Sequence, residues 1–523
     1  MQIQTHLCVT SSPVQISYQT LKDLDIFGLL RVLFPPGKNN DEAITDFLHT
    51  YLTAAPGEIN RRIQILTHLQ QNPQSPALLS NISAANERLY AAIKNLRLDS
   101  RPLEFCVQYK HALTAYITAL GSLESLFCPT AQNPAISALA ASIQAEKNSG
   151  FYHMAAQALH HLNTHLPPLN NVTLAVNLSS DGRPVHIGVT NINGGEMPVG
   201  IFGPGTANSL TAAAPIKSQS RFSYFADFIF TQVEKQWAPK LKAAMHHLRK
   251  VDFDGLILRH QWLSHADLYS KGLHLAARFT QLGYGLCKPT AQDACQAAGM
   301  VYPSLALLGK APKPLSMGIG AGDTVMITGA NGSGKTSAVK AFVQNSLLAQ
   351  LGFLVPAASF AFIPFARWFT VFSAVEDAAQ ASGYRVETGQ MDQVMAAADG
   401  ASCVILNEPF TSTGHQKAAE DICRAAAGLS QKGATTILIT HLYDVYDMLL
   451  CRGINVGSYV TKTAVAGGKL IKAFELEARK PDAHSLARFL ASEHGFAIAN
   501  MVNDPAKARA LEAFMAEVNH DPV

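Results

Sequence analysis

Between positions 324 and 342 the chain reads TVMITGANGSGKTSAVKAF, a β-branched run, then a turn rich in glycine, then a helical pattern. Its centre, Gly329, Ala330, Asn331, Gly332, Ser333, Gly334, Lys335 and Thr336, has the spacing of a phosphate-binding loop. Glycines let successive backbone N–H groups curl around a phosphate, and the start of the following helix adds a positive dipole end. Lys335 can then reach the β- and γ-phosphates while Thr336 ligates magnesium, so the expected ligands are ATP and Mg2+. A glycine-rich strand-to-helix turn that carries Lys and Thr by chance is the plainer alternative, and the flanking strand and helix argue against it.

Hydrolysis needs an acid at a neighbouring strand end. CVILNEPF supplies Glu408, the candidate general base, preceded by Asn407, whose amide can hold the magnesium water shell only weakly. A third run, TTILITH, ends in Thr440 and His441, where a neutral imidazole can sense the γ-phosphate or the attacking water. Glu408 and His441 are the expected catalytic residues, and Thr336 and Asn407 the expected metal-side residues.

Positioning these groups takes parallel strands. Short β-branched runs at 324–328, 402–406 and 435–440 alternate with helical patterns, which predicts an α/β domain over 291–523. Residues 21–290 read differently. Amphipathic stretches at 42–52, 58–69, 84–96 and 107–126, broken at Pro35-Pro36-Gly37, Pro56-Gly57 and Pro129, predict an all-α domain. Long helices at 221–250 and 256–282 continue it. Alternating runs around Val172 and Val185, joined through Ser180-Asp181-Gly182, predict a small β insertion at about 167–204. Residues 1–20 form an N-terminal segment.

The whole chain sets bounds on partners and place. Hydrophobic residues make up 48% and charged residues 15%, so a folded chain is expected. A net charge of +3 lacks the strong basic field that alone argues for nucleic acid, so any DNA contact needs a local patch. Eight scattered cysteines without a C-x-x-C pair read as reduced thiols. No apolar stretch is long enough for a membrane span and no secretory signal pattern opens the chain, so a cytoplasmic location is expected.

GANGSGKT, then LGFLVPAASFAFIPFARWF, then VILNEPFTSTGHQKAAEDI, then ILITHLYDVYD together resemble the ATPase domain of MutS-family DNA mismatch repair proteins. Upstream, PGEINRRIQILTHLQQNP and YGLCKPT resemble, more weakly, that family's helical core. The resemblance implies a helical core and lever domain carrying a reduced clamp as the β insertion, followed by an ABC-type P-loop ATPase. It further implies a dimer of identical or related chains that opens and closes on DNA with nucleotide state. In that family a signature loop acts on the partner's nucleotide. Here it is expected near Ser382, Gly383, Tyr384 and Arg385, where the usual Ser-Thr-Phe run and following Glu are missing. Asn407 stands where the family has aspartate, so slow hydrolysis is expected. No mismatch-recognition or connector segment is read upstream. The insertion offers only Arg183 and His186 to phosphates, and Lys235, Lys240, Lys242, Arg249 and Lys250 lie on the returning helix. Two functions therefore stand: a DNA-acting ATPase related to mismatch repair or recombination, and an ATP-switched regulator or scaffold that contacts a protein without binding DNA.

Overall fold

The computed structural model describes residues 12–37, 40–96, 101–128, 133–165, 172–178, 180–181, 184–192, 195–196, 221–372, 383–410, 413–466 and 469–481. The chain divides into two compact units. One holds Asn72–Ser270 with Met1–Leu7; the other holds Cys8–Gln71 with Lys271–Val523. These units are drawn differently from the expected grouping of 21–290, because Cys8–Gln71 packs with the carboxyl-terminal part.

The first unit is helical. Its helix Pro102–Phe127 buries Leu103, Cys106, Tyr109, Leu113, Tyr116, Leu120 and Leu123, three or four positions apart, which is the stripe an amphipathic helix turns inward. Asp252 starts the helix Phe253–Ser264 by accepting from the N–H groups of Asp254 and Gly255. The single helix expected over 256–282 is instead two, Phe253–Ser264 and Ala266–Gln281. The break falls at His265, whose N–H turns back to the Trp262 carbonyl, and neither Gly nor Pro marks it. The expected insertion forms an antiparallel hairpin, Val172–Leu178 with Pro184–Ile192, extended by Gly195–Glu196.

Inside this unit Arg259 and Glu146 form a buried ion pair, with Nε–Oε1 at 2.7 Å and Nη2–Oε2 at 3.2 Å. Arg259 Nη1 also donates to the Gly255 carbonyl at 3.0 Å, and its guanidinium lies 3.6 Å from the centre of the Phe151 ring. The Tyr116 hydroxyl donates to Glu146. Burial first, and then the neighbouring Glu146 carboxylate, push the Tyr116 phenol well above its ordinary range.

The second unit is built on a seven-stranded sheet. In chain order its strands are Gln15–Ile16 (β1), Thr324–Thr328 (β2), Arg367–Phe372 (β3), Ser402–Asn407 (β4), Thr435–Ile439 (β5), Val456–Ala466 (β6) and Lys469–Ala478 (β7). Their order across the sheet is β1-β3-β4-β5-β2-β6-β7, parallel except for the antiparallel β6–β7 pair. β2 and β5 are buried at every position, as strands covered on both faces must be. A smaller four-stranded sheet accompanies it, made of Thr290–Ala291, Ala294–Met300, Leu315–Gly320 and Ser359–Phe362.

The helix after the glycine turn, Lys335–Gln350 (α1), is buried at almost every position from Ala338 onward. Its amides are therefore spent on backbone carbonyls. Gln344 donates to those of Leu24 and Asp25 at 3.0 and 3.1 Å. Gln350 donates to Thr53 and Phe365 at 3.1 and 2.8 Å, and accepts from the Trp368 indole at 3.2 Å. Residues 8–71 thus hold the phosphate-loop helix by hydrogen bonds as well as by packing. No helix among the described residues is long and apolar enough to cross a membrane.

Candidate nucleotide site

β2 ends at Thr328 and the chain turns through Gly329, Gly332 and Gly334 before α1 begins. All three glycines have positive φ, at 141°, 70° and 100°, a conformation that other residues adopt only under strain. Space is short as well at two of them. A β-carbon on Gly329 would collide with Thr461 Oγ1, and one on Gly334 would stand 3.1 Å from the Phe474 ring. Backbone favours glycine at all three positions, and neighbours exclude a side chain outright at Gly329. Asn331 and Gly332 are exposed, whereas Ala330 and Ser333 are buried.

Lys335 is 5% exposed. Its Nζ donates to the carbonyls of Gly329 and Ala330 at 2.9 and 3.2 Å and lies 3.6 Å from Glu408 Oε1. Burial lowers the Lys335 pKa from the ordinary lysine value, and the Glu408 carboxylate works in the opposite direction. Thr336 Oγ1 donates to Asn407 Oδ1 at 3.4 Å, so the two residues expected on the metal side meet at the same end of the sheet.

Adjacency of strands explains the convergence. β4 pairs with β5 and β5 with β2, all parallel, so the carboxyl ends of three strands open beside the glycine turn. Just past β4 the backbone bends sharply: Glu408 and Phe410 have φ of 50° and 62°, uncommon for residues with side chains. The Glu408 N–H is anchored on the Ile439 carbonyl at 2.8 Å. His441 follows β5 with its side chain exposed, and no hydrogen bond or ion pair joins it to Lys335 or Glu408 among the described residues. The structure thus brings together the glycine turn, Lys335, Thr336, Asn407 and Glu408, and leaves His441 at the rim. A hollow of about 830 Å³ in this unit, lined by Tyr18, Arg31, Asp41, Glu42 and Asp46 among others, shares no residue with the site.

Residues 325–480 match the family model described as MutS domain V. Over this stretch the chain is similar to the MutS family. Two curated relatives agree. Over 170 residues the chain is 31% identical to the DNA mismatch repair protein MutS of Natronomonas pharaonis, covering 32% of this chain and 20% of that protein. Over 124 residues it is 31% identical to the DNA mismatch repair protein MutS of Thermotoga neapolitana, covering 24% and 16%. The chain therefore matches about a fifth or less of the length of these relatives.

Within this MutS domain the segment expected as a signature loop is helical from its second residue, Gly383–Ala397 (α2). Tyr384 is held there by its hydroxyl, which donates to Asp421 at 2.7 Å, and by its ring, 6.0 Å from that of Phe410. Glu387 is 2% exposed and turns inward, whereas Arg385 and Gln390 are exposed. Ser382 and the Thr411-Ser412 pair lie outside the described residues.

Two residues of the MutS domain escaped the sequence reading. Thr461 on β6 and Phe474 on β7 reach the glycine turn from the hairpin at the sheet edge. The pairing slips between Thr461 and Thr463, and Phe474 itself has a φ of 54°. The alternation in SYVTKTAV could have pointed to the strand, but nothing in the sequence marks the slip.

Proposed function

We propose that this chain is a MutS-family protein that binds ATP with magnesium at Gly329 to Thr336 and hydrolyses it slowly, as one half of an ABC-type dimer that acts on DNA. The observation that carries the reading is the buried Lys335 ammonium. It sits among three left-handed glycine turns, within reach of Glu408 and beside the Thr336–Asn407 pair. The donor set fits a triphosphate: backbone N–H groups, a cation and a hydroxyl converge beside Gly329, where no β-carbon can stand.

On binding, Lys335 exchanges the Gly329 and Ala330 carbonyls for phosphate oxygens and separates from Glu408. Released, the Glu408 carboxylate takes the proton of an attacking water. Thr336 and Asn407 are the residues that would hold magnesium, which when bound neutralises phosphate charge. An amide at Asn407 contributes less to that than a carboxylate, so binding outlasts hydrolysis. His441 at the rim senses the γ-phosphate. Closure of the dimer on ATP then moves the helical unit, with its three-stranded sheet as a reduced clamp, against DNA in the cytoplasm in a process related to mismatch repair or recombination.

The amide at Asn407 and the inward turn of Glu387 also favour a second reading, in which ATP binding alone switches a contact with a protein partner. A binding panel separates the two. In the first case the full chain with ATP binds duplex, single-stranded or branched DNA with affinity that falls steeply with salt. Absence of such binding with ATP, ADP and no nucleotide alike would remove the DNA role. For the site itself, Lys335→Ala abolishes ATP binding, while Glu408→Gln keeps binding, stops turnover and accumulates an ATP-bound dimer in light scattering. Unchanged turnover in Glu408→Gln defeats its assignment as base.

A further inference from the structure

At the sheet edge beside the glycine turn, β6 and β7 form an antiparallel hairpin whose register shifts between Thr461 and Thr463. Such a slip re-aims a side chain, and here the side chain is Thr461. Its hydroxyl lies 2.7 Å from Ser333 Oγ, a contact in which either oxygen can donate, and it reaches the Thr328 carbonyl at the end of β2 at 3.5 Å. It also occupies the space where a β-carbon of Gly329 would stand. Both hydroxyls are withdrawn from water, Ser333 at 1% and Thr461 at 4% exposure. One side chain from outside the phosphate loop thus touches the last residue before the loop, its first glycine and its fifth residue.

We infer that Thr461 is a positioning residue for nucleotide binding: its buried hydroxyl pair with Ser333 fixes the curl of the phosphate loop before ligand arrives. The inference rests on the ATP reading above. The loop must present successive N–H groups to one phosphate, and a turn built on three glycines has the greatest conformational freedom to lose. A loop already held at both ends of its arc gives up less of that freedom on binding. Thr461 does this from β6: 132 positions separate Thr324 from the paired Val456, yet the two strands lie side by side.

The test is calorimetric titration of the full chain with magnesium and ATP. Thr461→Val keeps the side chain's volume but removes its hydroxyl, and weakens ATP about tenfold, the worth of one buried hydrogen bond. Thr461→Ser restores the affinity. Ser333→Ala weakens binding similarly, and Ser333→Ala with Thr461→Val together lose no more than either alone, since both remove the same contact. A merely structural role would lower the melting temperature of Thr461→Val without moving its ATP affinity; that result overturns the inference, as do losses that multiply in the double variant. Wild-type protein that binds no more ATP than Lys335→Ala would overturn the ATP reading itself, and is told apart by that comparison.

Discussion

Replacing Arg259 by Met separates the helical unit from the nucleotide unit in a measurable way. The guanidinium makes two contacts to Glu146, at 2.7 and 3.2 Å, one to the Gly255 carbonyl, and lies 3.6 Å from the Phe151 ring centre. In Arg259→Met the Glu146 carboxylate, 5% exposed, keeps only the Tyr116 hydroxyl as a partner from this cluster. Losing one member of a buried pair costs about 3–5 kcal/mol and a desolvated cation–π contact about 2 kcal/mol, part of which methionine packing against Phe151 replaces. A net loss of about 4 kcal/mol lowers the unfolding transition of Asn72–Ser270 by roughly 8–16 °C, at about 2–4 °C per kcal/mol for a unit of this size. Differential scanning calorimetry of the full chain, with limited proteolysis to assign the early transition, is the assay. Removing both charges in Glu146→Leu with Arg259→Met recovers much of the loss, because no buried carboxylate is then left without its cation. A single variant melting within about 2 °C of wild type, below what a buried pair is worth, would refute the reasoning. ATP binding in Arg259→Met is expected to match wild type below the new transition.

Two further outcomes follow from the nucleotide unit. Burial lowers the Lys335 pKa, so the ammonium that phosphate needs is lost as pH rises through that lowered value; ATP affinity therefore falls in an alkaline range short of the ordinary lysine value, and a dissociation constant flat up to that value contradicts the assignment. For stability the sign is opposite: burying the charged form destabilises the fold below the lowered pKa, and this penalty is relieved as pH rises toward the unfolded value. Gln350→Leu strips partners from the Thr53 and Phe365 carbonyls and the Trp368 indole. About 3 kcal/mol or more is lost at about 1 kcal/mol for each orphaned group, and hydrogen exchange quickens along β1 and β3; unaltered protection there would show that the Gln350 bonds do not hold Cys8–Gln71 in place.

The central strands were legible because their burial leaves little choice of residue. Thr324–Thr328 was read with its observed ends, and Ser402–Asn407 and Thr435–Ile439 to within one residue, since each is a short apolar run closed by a functional polar group. The glycine turn was equally plain. β1 was not, for its two residues carry no pattern, and only pairing of Gln15 and Ile16 with Arg367 and Trp368 makes them a strand. The end of the helix before His265 was missed because apolar spacing runs on through it, although Asp252 was available as a start signal four residues before the expected start at 256. At the site, Lys335 and Glu408 could be paired from motif order, whereas Thr461 and Phe474 depend on a slipped register and a left-handed φ. Those are properties of a pairing, and no single strand's sequence contains them.

The division of the chain also sets an order of assembly during synthesis. Cys8–Gln71 is made before the helix it grips, Lys335–Gln350, and before the strand β1 joins, Arg367–Phe372. Asn72–Ser270 is complete in between and needs neither. At about 5–20 residues per second, the roughly 264 residues separating Gln71 from Lys335 hold the early segment without these partners for about 13–53 s. During that interval Ile44, Phe47, Leu48, Ile59, Ile63 and Leu66, all buried in the finished protein, have no sheet to cover. A chain truncated before Gly329 is expected to leave these apolar side chains exposed, with aggregation on expression as the measurement that checks it.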